Sequence, residues 1–269
     1  MRTLLLNTIA AIVAGVAAFG TGGVAAQPQE DRLAAMRARG ELRVCAWTGF
    51  YGMSWRNPRS GELEGVDADM ARALAQRLGL RQVLVPTAQV GMLAQLEAGA
   101  CDIAMSGAVI TPERAQQVAF TKPYFSTPVL GVANRASARV RDWQSIDRPG
   151  VLVAVAEGSQ AEAAMRNSLR RAELTVLRAA RPREVEVLSG RVDVLVASLP
   201  YARGLAEQEG WVRLLEAPPR FGEALMAYAV PRGDAAWLAE VNNFLAAAKS
   251  DGSLARAAER QGLQGLVVY

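Results

Sequence analysis

From residue 42 onward, short apolar runs alternate with stretches in which apolar residues recur at helical spacing, and glycines punctuate the alternation. The run at 42–46 predicts a first strand. Val66, Met70, Leu74 and Leu78 then line one face of a helix, with Arg72 and Arg77 elsewhere on the cylinder and Gly79 as its stop. Residues 83–85 predict a second strand, 89–98 a second helix ending at Gly99, and 101–105 a buried third strand that Ser106 and Gly107 bring to an end. Thr111, Pro112 and Glu113 compose a helix start: a cap, a proline at the first helical position and an acid near the positive end of the dipole.

The same order recurs further on. Residues 151–155 predict a strand, 160–171 a helix, 174–177 a strand, 183–188 a helix stopped by Gly190, and 193–196 a strand. Aligning LEAGACDIAMS at 96–106 with VLSGRVDVLVA at 187–197 matches Gly99 with Gly190 and Asp102 with Asp193. Two successive βαβαβ units imply an α/β protein of two similar lobes, each a mainly parallel sheet flanked by helices. Extended runs at 128–134 and 225–230 are the expected crossings, and helices at 235–249 and 253–261 close the chain on the first lobe. The lobes are then 27–132 with 226–269, and 133–225. Two lobes joined by paired extended hinge segments can close on each other, and ligands in such sheets bind beyond the strand carboxyl ends.

Residues 1–26 stand apart from this pattern. Arg2 precedes an apolar stretch, and Val24, Ala25 and Ala26 form a small-residue cleavage signal, so we expect a signal peptide cut near Ala26 and an exported product. The remainder suffices for one large domain or two ordinary lobes. Histidine is absent, which removes histidine triads, histidine general bases and HExxH zinc sites. We expect no metal and no cofactor. Cys45 and Cys101 fit no CxxC or zinc spacing; an oxidising compartment would permit a disulfide between them, but their placement in different predicted strands favours two buried thiols. The net charge of +4 is carried almost entirely by arginine, since Lys122 and Lys249 are the only lysines. The arginines are scattered and do not interleave with aromatics, so nucleic acid is not an expected partner.

The candidate chemistry lies in CDIAMSGAVITPERAQQVAFTKPYF at 101–125. Arg114, on a helix start beside free backbone N–H groups, offers a fixed fork of donors matched to a carboxylate.

GELRV at 40–44, GELEGVDADMARALAQRLG at 61–79, DIAMSGAVITPERAQQVAFTKPYF at 102–125 and VNNFLAAAKSDGSLARAAER at 241–260 together resemble the periplasmic solute-binding proteins of polar amino-acid ABC importers. The resemblance runs from about Gly40 to Gly262. It implies the two-lobed periplasmic binding protein fold, a small carboxylate ligand and an inner-membrane permease as partner; a monomer in the periplasm is the default expectation. Carried over residue by residue, it seats the ligand carboxylate on Arg114, with Ser106, Gly107, Val109 and Ser159 around it. Phe50 falls where relatives place a ring over the ligand, and Trp47, Tyr51, Trp55 and Tyr124 are further candidates for the cleft wall. Where many relatives have Thr-Asp to hold an α-ammonium, this chain has Ala197 and Ser198. Unless Glu157 or Glu162 substitutes, the ligand is expected to be an organic acid or a modified amino acid with apolar bulk, met by Ser198. Asp67 and Asp69 are expected to be helix-start charges only.

The chain also resembles the periplasmic cyclohexadienyl dehydratases of the same fold, through YGMSWRNPRSGELEGVDADMARALAQRLG at 51–79, DIAMSG at 102–107 and IDRPGV at 146–151. That resemblance implies an alternative in which Glu162 is the catalytic acid. The loop AEGSQAEAAM at 156–165 lacks the Gly-Gly-Thr-Asn run those enzymes resemble one another in, and the main expectation is a binding protein, not an enzyme.

Overall fold

A computed structural model of the chain describes residues 31–178, 182–221 and 224–269; the expected signal peptide, residues 1–26, lies outside the described residues. In chain order the elements of the first half are α1 (Arg32–Arg39), β1 (Glu41–Trp47), β2 (Gly49–Phe50), β3 (Ser54–Arg56), β4 (Leu63–Glu64), α2 (Val66–Leu78), β5 (Arg81–Thr87), α3 (Met92–Glu97), β6 (Ile103–Val109), α4 (Pro112–Gln117), β7 (Val118–Phe120) and β8 (Phe125–Thr127). The second half comprises β9 (Val129–Asn134), β10 (Leu152–Ala156), α5 (Gln160–Ser168), β11 (Glu173–Leu177), α6 (Glu184–Leu188), β12 (Val194–Ser198), α7 (Leu199–Gln208), β13 (Val212–Glu216), β14 (Ala224–Pro231), α8 (Ala235–Ser250) and α9 (Ser253–Glu259).

Two main sheets result. The first runs β5-β1-β6-β14-β7, with β8 also on β14, and the second runs β11-β10-β12-β9-β13. In each, three parallel strands are followed by antiparallel ones. The internal echo is structural as well: Asp102 accepts the backbone N–H of Arg43 at 2.8 Å, and Asp193 accepts that of Leu152 at 2.9 Å. In both halves a buried or half-buried carboxylate ahead of the third strand satisfies an amide of the first. The chain passes to the second sheet at Pro128. All of β9 pairs there, including Val129 to Val132, which the sequence division puts in the first lobe.

Strand β6 outruns its expected end. Gly107 takes φ +56°, yet Ala108 and Val109 stay in register with Ala227 and Met226 of β14. A Cβ at residue 107 would meet the Phe50 ring at 2.8 Å, so this glycine lets a ring lie against the strand. Helix α5 stops at Ser168, short of 171.

The two cysteines are not free. Cys45 and Cys101 form a disulfide with Cα atoms 5.6 Å apart. β6 begins only at Ile103, so Cys101 belongs to the approach from α3 and not to the neighbouring strand, which frees its Cβ to reach the face of β1 that Cys45 presents. Asp67 also departs from expectation. It is fully buried under the first sheet, accepting the hydroxyls of Tyr124 at 2.6 Å and Tyr228 at 3.1 Å. Burial pushes its pKa up to about 7 against the lowering effect of those hydrogen bonds. Asp69 is the surface charge expected, paired with Arg72 and Arg260.

Candidate functional site

A cavity of about 60 Å³ lies between the two sheets. Its walls come from the carboxyl ends of parallel strands in both, where loops present side chains to a ligand. Trp47, Phe50, Ser106, Gly107, Val109 and Arg114 line it from the first sheet's side, and Ser159 and Ser198 from the second's.

Arg114 is capped into place: Thr111 accepts its backbone N–H at 3.2 Å, with Pro112 opening α4. Its guanidinium donates to the Val109 carbonyl at 3.0 Å and to the Gly158 carbonyl, in the loop after β10, at 2.5 Å. It makes no ion pair among the described residues, and burial draws its pKa below the ordinary value.

Ser106 is committed to the protein. It accepts the backbone N–H of Trp47 at 3.2 Å and pairs with Ser54 at 2.8 Å, while Ser54 donates to the Trp47 carbonyl at 2.9 Å. With the Ser54 hydrogen spent there, Ser106 is the donor of the pair, so its own hydrogen does not face a ligand. Ser159 caps α5, accepting the Glu162 N–H at 3.1 Å, and its own hydroxyl hydrogen makes no hydrogen bond among the described residues. Ser198 sits at the start of α7 without a side-chain capping bond.

The aromatic candidates divide. Trp47 stacks on Phe50 with centroids 5.2 Å apart, and on Tyr201 of α7 at 6.0 Å. Tyr51 packs against Trp55 and Tyr201 beside an adjoining, wider cavity of about 350 Å³. Tyr124 belongs to the core with Asp67, not to the cleft wall.

Glu162, the catalytic acid of the alternative, is turned to other partners. Its carboxylate accepts the Gly158 N–H at 2.6 Å and two Arg166 donors at 3.0 and 2.8 Å, and it does not line the cavity. Burial raises its pKa, but Arg166 and the Gly158 amide outweigh that and hold it below the ordinary value, the opposite of what a proton donor needs. Glu157, the other candidate for an ammonium, pairs with Arg178 at 3.2 Å.

Sequence reasoning missed Arg183. Just ahead of α6, it lies 4.6 Å from the Trp47 ring and 4.9 Å from the Tyr201 ring, and donates to Gln89 across the cleft at 3.2 Å. Counted along the chain, it is one of a scattered pair of arginines around a proline. The detectable signal is the repeat itself, since the loop after β11 corresponds to the loop after β5 that carries Gln89.

Two helix-flanked sheets, crossed twice by the chain and enclosing a cavity at their strand ends, define a two-lobed solute-binding protein fold. The chain belongs to the bacterial extracellular solute-binding proteins, family 3, whose family model matches residues 42–262. It is 31% identical to the cyclohexadienyl dehydratase of Pseudomonas aeruginosa over 235 residues, 85% of each chain. It is 24% identical to the L-cystine-binding protein TcyJ of Escherichia coli, across 96% of this chain and 94% of that one. Among solved structures, an ancestral amino acid-binding protein described as a precursor of cyclohexadienyl dehydratase superposes with a TM-score of 0.77 at 31% identity, covering 86% of this chain and 99% of that one.

Proposed function

We propose that this chain is an extracytoplasmic solute-binding protein that captures a small carboxylate-bearing ligand by closure of its two lobes and delivers it to an ABC importer permease. The residues 1–26 signal would export it to the periplasm, where it acts as a monomer. The observation that carries this reading is Arg114: a guanidinium with no carboxylate partner among the described residues, bonded to a carbonyl of β6 and to one in the loop after β10, at the wall of the cavity between the sheets.

In this reading Arg114 takes the carboxylate, with the hydroxyls of Ser159 and Ser198 and the amides at the start of α5 completing the seat. Trp47 and Phe50 cover the apolar part of the ligand, and Gly107 makes room for the ring. Ser106 holds Trp47 in position, and the Val109 carbonyl orients Arg114. Both Glu157 and Glu162 are spent on arginines, and Ser198 stands where relatives hold an ammonium, so the ligand class is an organic acid or a modified amino acid. Ligand contacts from two lobes exist together only when the cleft is shut, so binding shifts the protein toward its closed state.

A second reading, a prephenate or arogenate dehydratase, has in its favour the likeness to the Pseudomonas enzyme. The ionised, arginine-bound state of Glu162 weighs against it. Protein purified without denaturation, examined by native mass spectrometry and then by a thermal-shift screen of amino acids and organic acids, separates the two. We expect stabilisation by a carboxylate compound and no phenylpyruvate from prephenate. Turnover of prephenate would instead establish the enzyme.

A further inference from the structure

We propose that the ligand carries two anionic groups and that Arg183 receives the second. This rests on the reading of Arg114 as the first carboxylate seat and extends it to a substrate class: an organic diacid without an ammonium group.

Arg183 reaches the cavity from the second sheet's side, and Arg114 from the first's. A guanidinium has five N–H donors; that of Arg183 makes one hydrogen bond, to Gln89, and no ion pair among the described residues. Its sequence neighbour Glu184 directs its carboxylate to the Tyr201 hydroxyl at 2.6 Å instead. Among the described residues, the two arginines are therefore the charged side chains lining the inner cavity, and no carboxylate lines it. Burial draws the pKa of each below the ordinary value without discharging it.

A monoanion entering this space would pair with one guanidinium and leave the other half-buried with no ion pair among the described residues, which is costly. A ligand with an anion at each end compensates both, and does so by bridging the lobes, which couples charge recognition to closure. Phe50, Met92 and Met226 line the same space, and so suit an apolar body between the charged ends. The buried acceptor without a partner in that wall, Gln160 Oε1, is neutral and suits a hydroxyl. The rings of Trp47 and Tyr201 hold the Arg183 guanidinium while leaving its donor edge available.

The test is isothermal calorimetry, supported by thermal shift, with α,ω-dicarboxylates from succinate to suberate and phenylsuccinate, monocarboxylates of matched length, and L-amino acids. The wild type is expected to bind its best diacid at least about tenfold more tightly than the matched monoacid. Arg183→Gln should erase that preference by lowering diacid affinity more than that of the matched monoacid, with the folded circular-dichroism spectrum unchanged, and Arg183→Lys should retain part of it. Monoacids or amino acids binding as tightly as diacids, in a manner that Arg114→Ala abolishes, would overturn the diacid and leave the carboxylate seat standing. Retention of the diacid preference in Arg183→Gln would assign Arg183 to cleft closure alone and also overturn the proposal. Failure of every acid to bind would overturn both readings.

Discussion

The guanidinium of Arg114, carried by a short helix beside the first sheet, donates a hydrogen bond at 2.5 Å to the carbonyl of Gly158, in a loop of the second sheet. The candidate anion seat is thus also a latch between the two halves. Arg183 with Gln89, and Trp47 with Tyr201, cross the same boundary. Opening the cleft would break all three contacts together, so the residues that line the cavity also hold the two halves against each other.

Gly204 tests that closed arrangement. It lies inside α7, where alanine would ordinarily stabilise a helix by about 1 kcal/mol. Here a Cβ would sit 2.5 Å from the Cβ of Tyr51, across the boundary. Gly204→Ala is expected to keep the helical circular-dichroism signal, increase the radius of gyration of the liganded protein in solution scattering and weaken binding. A variant about 1 kcal/mol more stable with unchanged affinity would mean that the contact does not matter.

Asp67 should give stability an inverted pH dependence for a carboxylate. Its folded pKa of about 7 exceeds the unfolded value of 3.8, so between those values the folded state holds more protons than the unfolded one. The contribution is therefore greatest below the unfolded value and is lost as pH rises through about 7, to an extent on the order of 4 kcal/mol. Calorimetric melts of wild type and Asp67→Asn at pH 5 and pH 8 check this: the difference between the two proteins should shift in favour of Asn at pH 8. Parallel curves would refute it.

The Cys45–Cys101 bridge closes a loop with a sequence separation of 56. Chain-entropy reasoning assigns such a bridge about 4 kcal/mol of stability. The Cys45→Ala, Cys101→Ala double variant should unfold at correspondingly lower denaturant concentration with an unchanged site. Free thiols titrating in the native, unreduced protein would contradict the bridge.

Ser198→Asp should create an ammonium seat on the proposed reading, improving the binding of ordinary L-amino acids by about tenfold or more, since a buried ammonium without an anionic partner is so unfavourable. A thermal-shift panel of L-amino acids on both proteins reads the gain. No gain for any of them would mean that residue 198 does not face the ligand's amine.

Much of the frame was legible because it rests on local rules. Apolar runs became β1, β6, β10 and β12, and Thr111 and Pro112 started α4 where a cap and a proline should. The tiny sheet of β2, β3 and β4 left no trace, because strands of two or three residues are too short to show a period. The disulfide escaped because a cysteine just ahead of a strand obeys no strand geometry. Asp67 looked like any acid in a first helical turn; only the distant Tyr124 and Tyr228 reveal its burial. Arg183 was hidden for the same reason: its partners Trp47, Gln89 and Tyr201 are joined to it by the meeting of two lobes, and nothing local to residue 183 records that.

The central claim is that one guanidinium between two closing sheets holds the ligand's carboxylate. Calorimetric titration of wild type and Arg114→Ala with the acid that most stabilises the wild type tests it most directly. The account predicts a loss of about a hundredfold or more in affinity, the scale of a removed charge-assisted pair, with an unfolding midpoint close to that of the unliganded wild type. Equal affinity in the two proteins would contradict it.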